Sequence, residues 1–189
     1  GLTMQNDLSF SAGNENSQYF ISVQDARVEG LIKHDELRRD AVRFNGTRKY
    51  KGFTAKANVN FTHIEDDVAT NNVLWSVYNT AQHIPLTSYQ DWRPLSTPEN
   101  TNWADINHYY NAYYDNPYTE IDKNRRKRKR DQLIGTLSLS QEITPWLKAT
   151  VRTSLNLATS VYKSTNEEWD FTDWAIHDSG RSIAGDIKA

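Results

Sequence analysis

Between Phe53 and Phe61 the chain alternates without a break. Phe53, Ala55, Ala57, Val59 and Phe61 fall on one side, and Thr54, Lys56, Asn58 and Asn60 on the other. Successive side chains of a β-strand point to opposite faces, so a strict period of two predicts a strand with one apolar and one polar face. The same pattern sets Leu133, Gly135, Leu137 and Leu139 against Gln132, Thr136, Ser138 and Ser140. It also sets Leu147, Ala149, Val151, Leu155 and Leu157 against Lys148, Thr150, Arg152, Ser154 and Asn156. Shorter runs occur upstream: Leu8, Phe10 and Ala12; Tyr19, Ile21 and Val23; and Val42 with Phe44 among Asp40, Arg43 and Asn45. Six strands are predicted.

The joints between them alternate in length. Gly13 to Ser17 reads as a tight polar turn, Glu29 to Glu36 as a modest loop, Asn45-Gly46 to Gly52 as a short turn and Thr144-Pro145-Trp146 as another. Residues 1–63 are thus expected to hold four strands, 64–130 a long loop, 131–160 two more strands and 161–189 the start of a further loop. Up-and-down outer-membrane barrels have this parity, with short periplasmic turns and long extracellular loops. Tyr19, Phe20, Phe44, Phe53, Phe61, Trp146 and Tyr162 lie near strand ends, as interfacial aromatic girdles do. The reading is an all-β, antiparallel, up-and-down transmembrane barrel segment. Leu8, Ile21, Val42, Val59, Leu137 and Val151 then face lipid, and Lys56, Asn58, Asn60, Arg152 and Asn156 a wet lumen or a plug. Alternation does not say which way an apolar face turns, so a soluble β-sandwich that binds carbohydrate through the same loops stays as the alternative.

Within the long loop, Leu74, Val77, Tyr78 and Ala81 recur at helical spacing after Thr70, a plausible N-cap, and predict a short helix over 71–82. Trp92, Trp103, Tyr109, Tyr110, Tyr113 and Tyr114 make a ring-rich stretch suited to stacking on sugar or on a protein partner. The basic run Lys123–Arg130 is flanked by Glu120, Asp122 and Asp131 and leads into a strand. It reads as a solvated strand extension that binds acidic loop or lipopolysaccharide groups, not nucleic acid.

Composition fits a chain with one wet face per strand: hydrophobic residues are 37% and aromatics 12%, and the formal net charge is −2. With no cysteine there is no disulfide framework or thiolate site. His34, His63, His83, His108 and His177 show no metal-ligand spacing, and no phosphate loop or nucleophile elbow occurs. Glu65-Asp66-Asp67 lacks the spacing of a calcium loop. Neither catalysis, a metal nor a cofactor is expected.

Asp115-Asn-Pro-Tyr118, then Arg130-Asp-Gln-Leu-Ile-Gly135, then Ile143-Thr-Pro-Trp-Leu147 follow one another as similar motifs do in the SusC/RagA branch of TonB-dependent transporters. The segment from Gly1 to Gly30 likewise resembles that family's strand, glycine-containing turn, strand and Glu-Gly loop. The resemblance covers roughly residues 1–160. It implies a much longer protein with a barrel of about 22 strands and a plug that engages TonB. It further implies a SusD-like surface lipoprotein as lid, oligosaccharide or peptide as substrate, and residence in the bacterial outer membrane. Single-chain barrels need at least about eight strands to close, so six are expected to be an internal piece of the wall.

Overall fold

The computed structural model describes residues 1–70, 72–97, 99–100, 102–105, 108–110 and 114–166. Six strands pair antiparallel in chain order: β1 (Thr3–Asn14), β2 (Ser17–Glu29), β3 (Glu36–Tyr50), β4 (Phe53–Ala69), β5 (Asn124–Thr144) and β6 (Leu147–Asn166). The sheet is up-and-down and open, with β1 and β6 as its edges. The chain divides into two compact units. Among the described residues the sheet unit is 1–30, 36–66 and 128–161, and the loop unit lies within 31–35, 67–127 and 162–166.

Local chemistry fixes the three short turns. At Glu15–Asn16 the Asn14 side chain accepts hydrogen bonds from the Asn16 and Ser17 amides, both at 2.9 Å, which closes an Asx turn. Lys51 and Gly52 both have positive φ, 46° and 80°, as a type I′ hairpin turn requires. Pro145-Trp146 joins β5 to β6. The Asn45-Gly46 pair expected to open the β3–β4 turn lies instead inside β3, with Gly46 opposite Tyr19. A Cβ on Gly46 would meet the Phe44 ring at 3.0 Å, so the neighbouring ring occupies the space a side chain would need. Observed joints remain alternately short and long, but the longest spans 70–123, because β4 and β5 extend beyond the alternating segments that announced them.

Register brings the apolar positions onto one face. Leu8, Val23 and Val42 lie opposite one another, as do Phe10, Ile21 and Phe44. The two-residue turn sets Tyr50 opposite Phe53, and counting back along both strands sets Phe44 opposite Val59. Between β4 and β5, the Glu142 amide bonds Gly52 O at 3.0 Å, and side chains meet at Glu65–Lys129 and Asp66–Arg128. That register puts Val59 opposite Gly135 and Ala57 opposite Leu137. Thr136–Ser154 and Ser140–Thr150 contacts do the same for β6, setting Gly135 opposite Leu155. The result is one apolar face across six strands, left uncovered: Leu8 is 76% exposed, Phe10 66% and Val151 70%. None of the buried apolar residues, Ala69, Val73, Trp92, Ala104 and Ile121, belongs to the sheet unit.

At the end away from the short turns, the apolar face gives way to ion pairs. Asp25 and Asp40 lie opposite each other one row beyond Val23 and Val42, and Arg27 and Arg38 one row further. Arg38 contacts Asp40 at 2.9 Å and Asp25 at 3.9 Å, and Arg27 contacts Asp25 at 3.6 Å. On β4 and β5 the sequel to Phe61 is His63–Asp131 at 2.6 Å and then Glu65–Lys129 at 2.9 Å. On β2 and β3 like charges sit directly across from each other, and opposite charges two residues along the same strand or on the diagonal relieve the repulsion, whereas on β4 and β5 Glu65 faces Lys129 directly.

The loop unit has its own small core. Helix α1 (Asn72–Tyr78) and helix α2 (Pro117–Lys123) contribute Val73 and Ile121, which pack with Ala69, Ile32 and Tyr118. The apolar positions expected to bury α1 are not the ones that do: Leu74 is 53% exposed and Tyr78 81%, while Val73 and Ser76 are buried. A helix of seven residues has barely two turns, so the tertiary partner at Ile121 selects its inner side rather than its own apolar spacing.

Candidate functional site

Two regions concentrate the chemistry, the polar face of the sheet and the loop unit. On the polar face Lys56, Asn58 and Asn60 of β4 alternate with the apolar set, and Arg152 and Asn156 of β6 do likewise. Asn156 accepts a hydrogen bond from Gln132 at 3.3 Å, and Asn60 donates to Thr62 at 3.4 Å. The Gln132–Asn156 contact, with Thr136–Ser154 and Ser140–Thr150, forms a ladder of hydroxyls and amides between β5 and β6. The structure therefore places all five residues on one face, opposite Leu8, Ile21, Val42, Val59, Leu137 and Val151.

The loop unit is organised by Arg125, whose side chain is 14% exposed. Its Nε donates to Asp67 Oδ1 at 2.9 Å, Nη1 to Asp35 Oδ1 at 3.2 Å and to Ile121 O at 3.3 Å. Nη2 donates to His34 O at 2.6 Å and Asp67 O at 3.1 Å. His34 presents that carbonyl from a left-handed conformation, φ 67°, which a non-glycine residue adopts only where its surroundings fix it. Asp35 Oδ1 also accepts from the Ala69 amide at 2.7 Å. One guanidinium thus ties the 31–35 segment, the end of β4 and the end of α2 together. Lys127 completes the pairing, 2.9 Å from Asp67. Arg125, Lys127, Arg128 and Lys129 are therefore partners of the Glu65-Asp66-Asp67 run, and the basic run is a strand extension, still largely solvated, that engages acidic side chains.

Asn116 is the N-cap of α2: its Oδ1 accepts from the Tyr118 amide at 3.0 Å, and Pro117 occupies the first turn. Its Nδ2 donates to Tyr89 O at 2.9 Å. The Asn-Pro pair is thus a helix start that also pins the 3₁₀ turn Leu86–Tyr89. A second node is Asp105, 1% exposed, which accepts from the Ser96 amide at 2.8 Å and from His108 Nδ1 at 2.7 Å. Burial alone would raise its pKa, but these hydrogen bonds prevail and hold it below the usual carboxylate value.

The predicted ring candidates have different fates. Trp92 is 1% exposed; its indole N–H donates to Asp122 at 3.0 Å and the Arg93 guanidinium stacks on it at 4.5 Å. It is a core side chain of the loop unit, with its ring already covered. Tyr109 meets Tyr89 edge-on at 5.0 Å and Tyr110 at 4.8 Å. Burial pushes the Tyr109 hydroxyl up to about 12. Tyr110 receives the Ala81 amide at 3.3 Å, and Tyr114 is partly buried. Among the described candidates Trp103 alone is broadly open, 72% exposed, and it meets His108 edge-on at 5.6 Å. Tyr113 lies outside the described residues. Sequence reasoning missed Arg125, Asp105 and Asn116 as organisers; of these only Asn116 carries a local signal, the Asn-Pro dipeptide.

Glu120, 3% exposed, has its pKa raised from 4.5 to about 7, first by burial and then by the neighbouring Asp115 carboxyl, against the 2.6 Å hydrogen bond from Asn124. Between these values the folded unit holds a proton that the unfolded chain has released, so stability falls as pH rises through that window. The loss is on the order of 3 kcal/mol. Hydrogen exchange at 117–124 is expected to speed up from pH 5 to pH 8 beyond the intrinsic base-catalysed trend. Glu120→Gln, which mimics the neutral acid, should remove that excess; an unchanged profile would place the titration elsewhere.

No family model and no curated protein matches this chain.

Proposed function

We propose that the sheet is a stretch of the wall of a bacterial outer-membrane β-barrel. On this reading the parent protein imports oligomeric glycan or peptide, as the resemblance to SusC/RagA-type TonB-dependent transporters implies. A SusD-like lipoprotein serves as lid and TonB acts on a plug. The observation that carries this reading is the uncovered apolar face, bounded by ion-paired rows at one end and by Tyr19, Tyr50, Phe53 and Trp146 near the short turns. In water such a face has no partner, and a second sheet over it, as a soluble sandwich needs, is absent among the described residues. In a bilayer it is solvated. From Leu147 to Leu157 the apolar positions of β6 span about 34 Å, which a strand tilt of about 40° reduces to about 26 Å, close to the apolar band of known barrels. The alternation of short and long joints supports the same orientation. The residues here then supply wall and outer loop, and no chemistry.

These 189 residues contain no cysteine, so a cysteine introduced here for spin labelling is unique within them, and any cysteine elsewhere in the full-length protein is first changed to serine. In the full-length protein in membranes, labels at 55, 57, 59 and 61 are expected to be accessible to dissolved oxygen, and labels at 56, 58 and 60 to a water-soluble nickel chelate. Loss of that period of two, or recovery of the protein from the soluble fraction, would overturn the wall reading and favour a carbohydrate-binding module.

A further inference from the structure

Charge is divided unevenly between the two faces of the sheet unit. The apolar face ends in charges that are paired, Asp25 and Asp40 with Arg27 and Arg38, and Glu65 with Lys129. On the polar face, register places Arg39, Arg43, Lys56, Arg130 and Arg152, and among the described residues none of the five has an ion pair or side-chain hydrogen bond. The carboxylates of that face are already engaged. Asp7 accepts from Gln5 at 2.7 Å and Gln24 at 2.8 Å, and Asp66 pairs with Arg128 at 2.8 Å. At the turn end the same face carries Glu142 with Lys49 and Lys148. A chain whose formal net charge is −2 thus presents a face on which these five cations lack an ion-pair partner.

Their placement is regular. Arg39 and Arg130 flank Ile64 in one row, and Lys56 and Arg152 flank Ser138 in another, each pair two strand spacings or about 10 Å apart. Asn45, Asn58, Asn60 and Asn156 stand between the rows on the same face. Guanidinium groups bind carboxylate and sulfate in bidentate fashion, and amides both donate to and accept from hydroxyls. Cations and amides interleaved on one surface match a ligand that carries both acid groups and hydroxyls. In a confined aqueous lumen such an array also concentrates anions more than it does on an open surface.

We infer that the polar face binds acidic oligosaccharide, a glycan bearing carboxylate or sulfate groups, with Arg39, Arg43, Lys56, Arg130 and Arg152 as its cationic contacts. This rests on the wall reading, which makes that face the lumen. Neutral glycan gains nothing from these five charges.

The test uses the full-length protein, purified in detergent, with two probes of one backbone: oligogalacturonate and its full methyl ester. By calorimetry at about 50 mM salt the acid is expected to bind about tenfold or more tightly than the ester. The difference should collapse at about 500 mM salt. It should also collapse in the variant with Arg39, Arg43, Lys56, Arg130 and Arg152 all changed to Gln. The milder Lys56→Gln/Arg152→Gln pair, expected to show part of the loss, guards against misassembly, and a heat-modifiable electrophoretic band verifies the barrel in each. Equal binding of the two probes, or binding of neither, by a correctly inserted barrel overturns the acidic-cargo inference and leaves the wall standing. Acid binding that emerges only after the plug is deleted also overturns it, because the face is then the plug's seat. A protein recovered soluble defeats the wall reading itself.

Discussion

Val59→Arg is expected to remove most of the folded protein from the membrane, whereas Asn58→Arg, one residue away, should leave it near the wild-type level. Val59 sits in the middle of the apolar face, with Phe44 and Gly135 opposite it on the two neighbouring strands, and is itself 40% exposed. At the midplane of a bilayer an outward arginine costs about 2–4 kcal/mol, falling to about 0–1 near the interfaces. Asn58 points to the face that already carries Lys56 and Arg152, where one more cation meets water. The decisive measurement is the depth profile: arginine placed in turn at 55, 57, 59, 61 and 63, with the heat-modifiable fraction in the outer membrane scored for each. A cost that peaks near 59 and fades by His63, where Asp131 offers a partner at 2.6 Å, is the signature of lipid. A flat profile would instead mean that a protein layer covers the face.

That profile depends on features the sequence states openly. A period of two needs no partner to be seen, so the strands from 53 to 61 and from 147 to 157 are legible, and so is the direction in which Lys56 and Arg152 point relative to Val59. Pairing between distant strands is not legible in the same way. Glu65-Asp66-Asp67 and the basic run 123–130 look like two independent polar runs until the β4–β5 register sets Glu65 beside Lys129 and Asp66 beside Arg128. Extension of β4 to Ala69 and of β5 back to Asn124 follows from that pairing, which lets charged residues continue a ladder that hydropathy alone would end. The Asn45-Gly46 pair illustrates the opposite failure. A strong local turn signal was outvoted by the Lys51-Gly52 turn, which keeps Gly46 beside the Tyr19 and Phe44 rings. In the loop unit, composition announced rings but not their use: Trp92 differs from Trp103 only in what surrounds it, 1% against 72% exposed. Burial of that kind is decided by the tertiary neighbours Asp122 and Arg93 and leaves no periodic trace.

Arg125→Ala should dismantle the loop unit while sparing the sheet. The guanidinium is 14% exposed and satisfies Asp35, Asp67 and the carbonyls of His34 and Ile121 at once, so its removal strips two partly buried carboxylates of their shared cation and leaves Asp35 with none. Deleting one partner of a buried ion pair typically costs about 3–5 kcal/mol, most of it the penalty on the charge left behind. Lys127, 2.9 Å from Asp67, offsets part of this for Asp67 but reaches no other member of the group. The expected result is rapid hydrogen exchange and proteolytic cleavage within 31–35 and 67–124, with amides in β1–β3 still protected. Adding Asp35→Asn to Arg125→Ala should restore part of the protection, since it removes one stranded charge. Arg125→Lys should recover little, because a single ammonium cannot span five acceptor contacts. If Arg125→Ala left exchange in the loop unit unchanged, the hub would be a crossing of contacts rather than the point that holds the unit together. In an importer built as proposed, the same variant should weaken docking of the lid while the barrel still assembles, which separates the loop's role from the wall's.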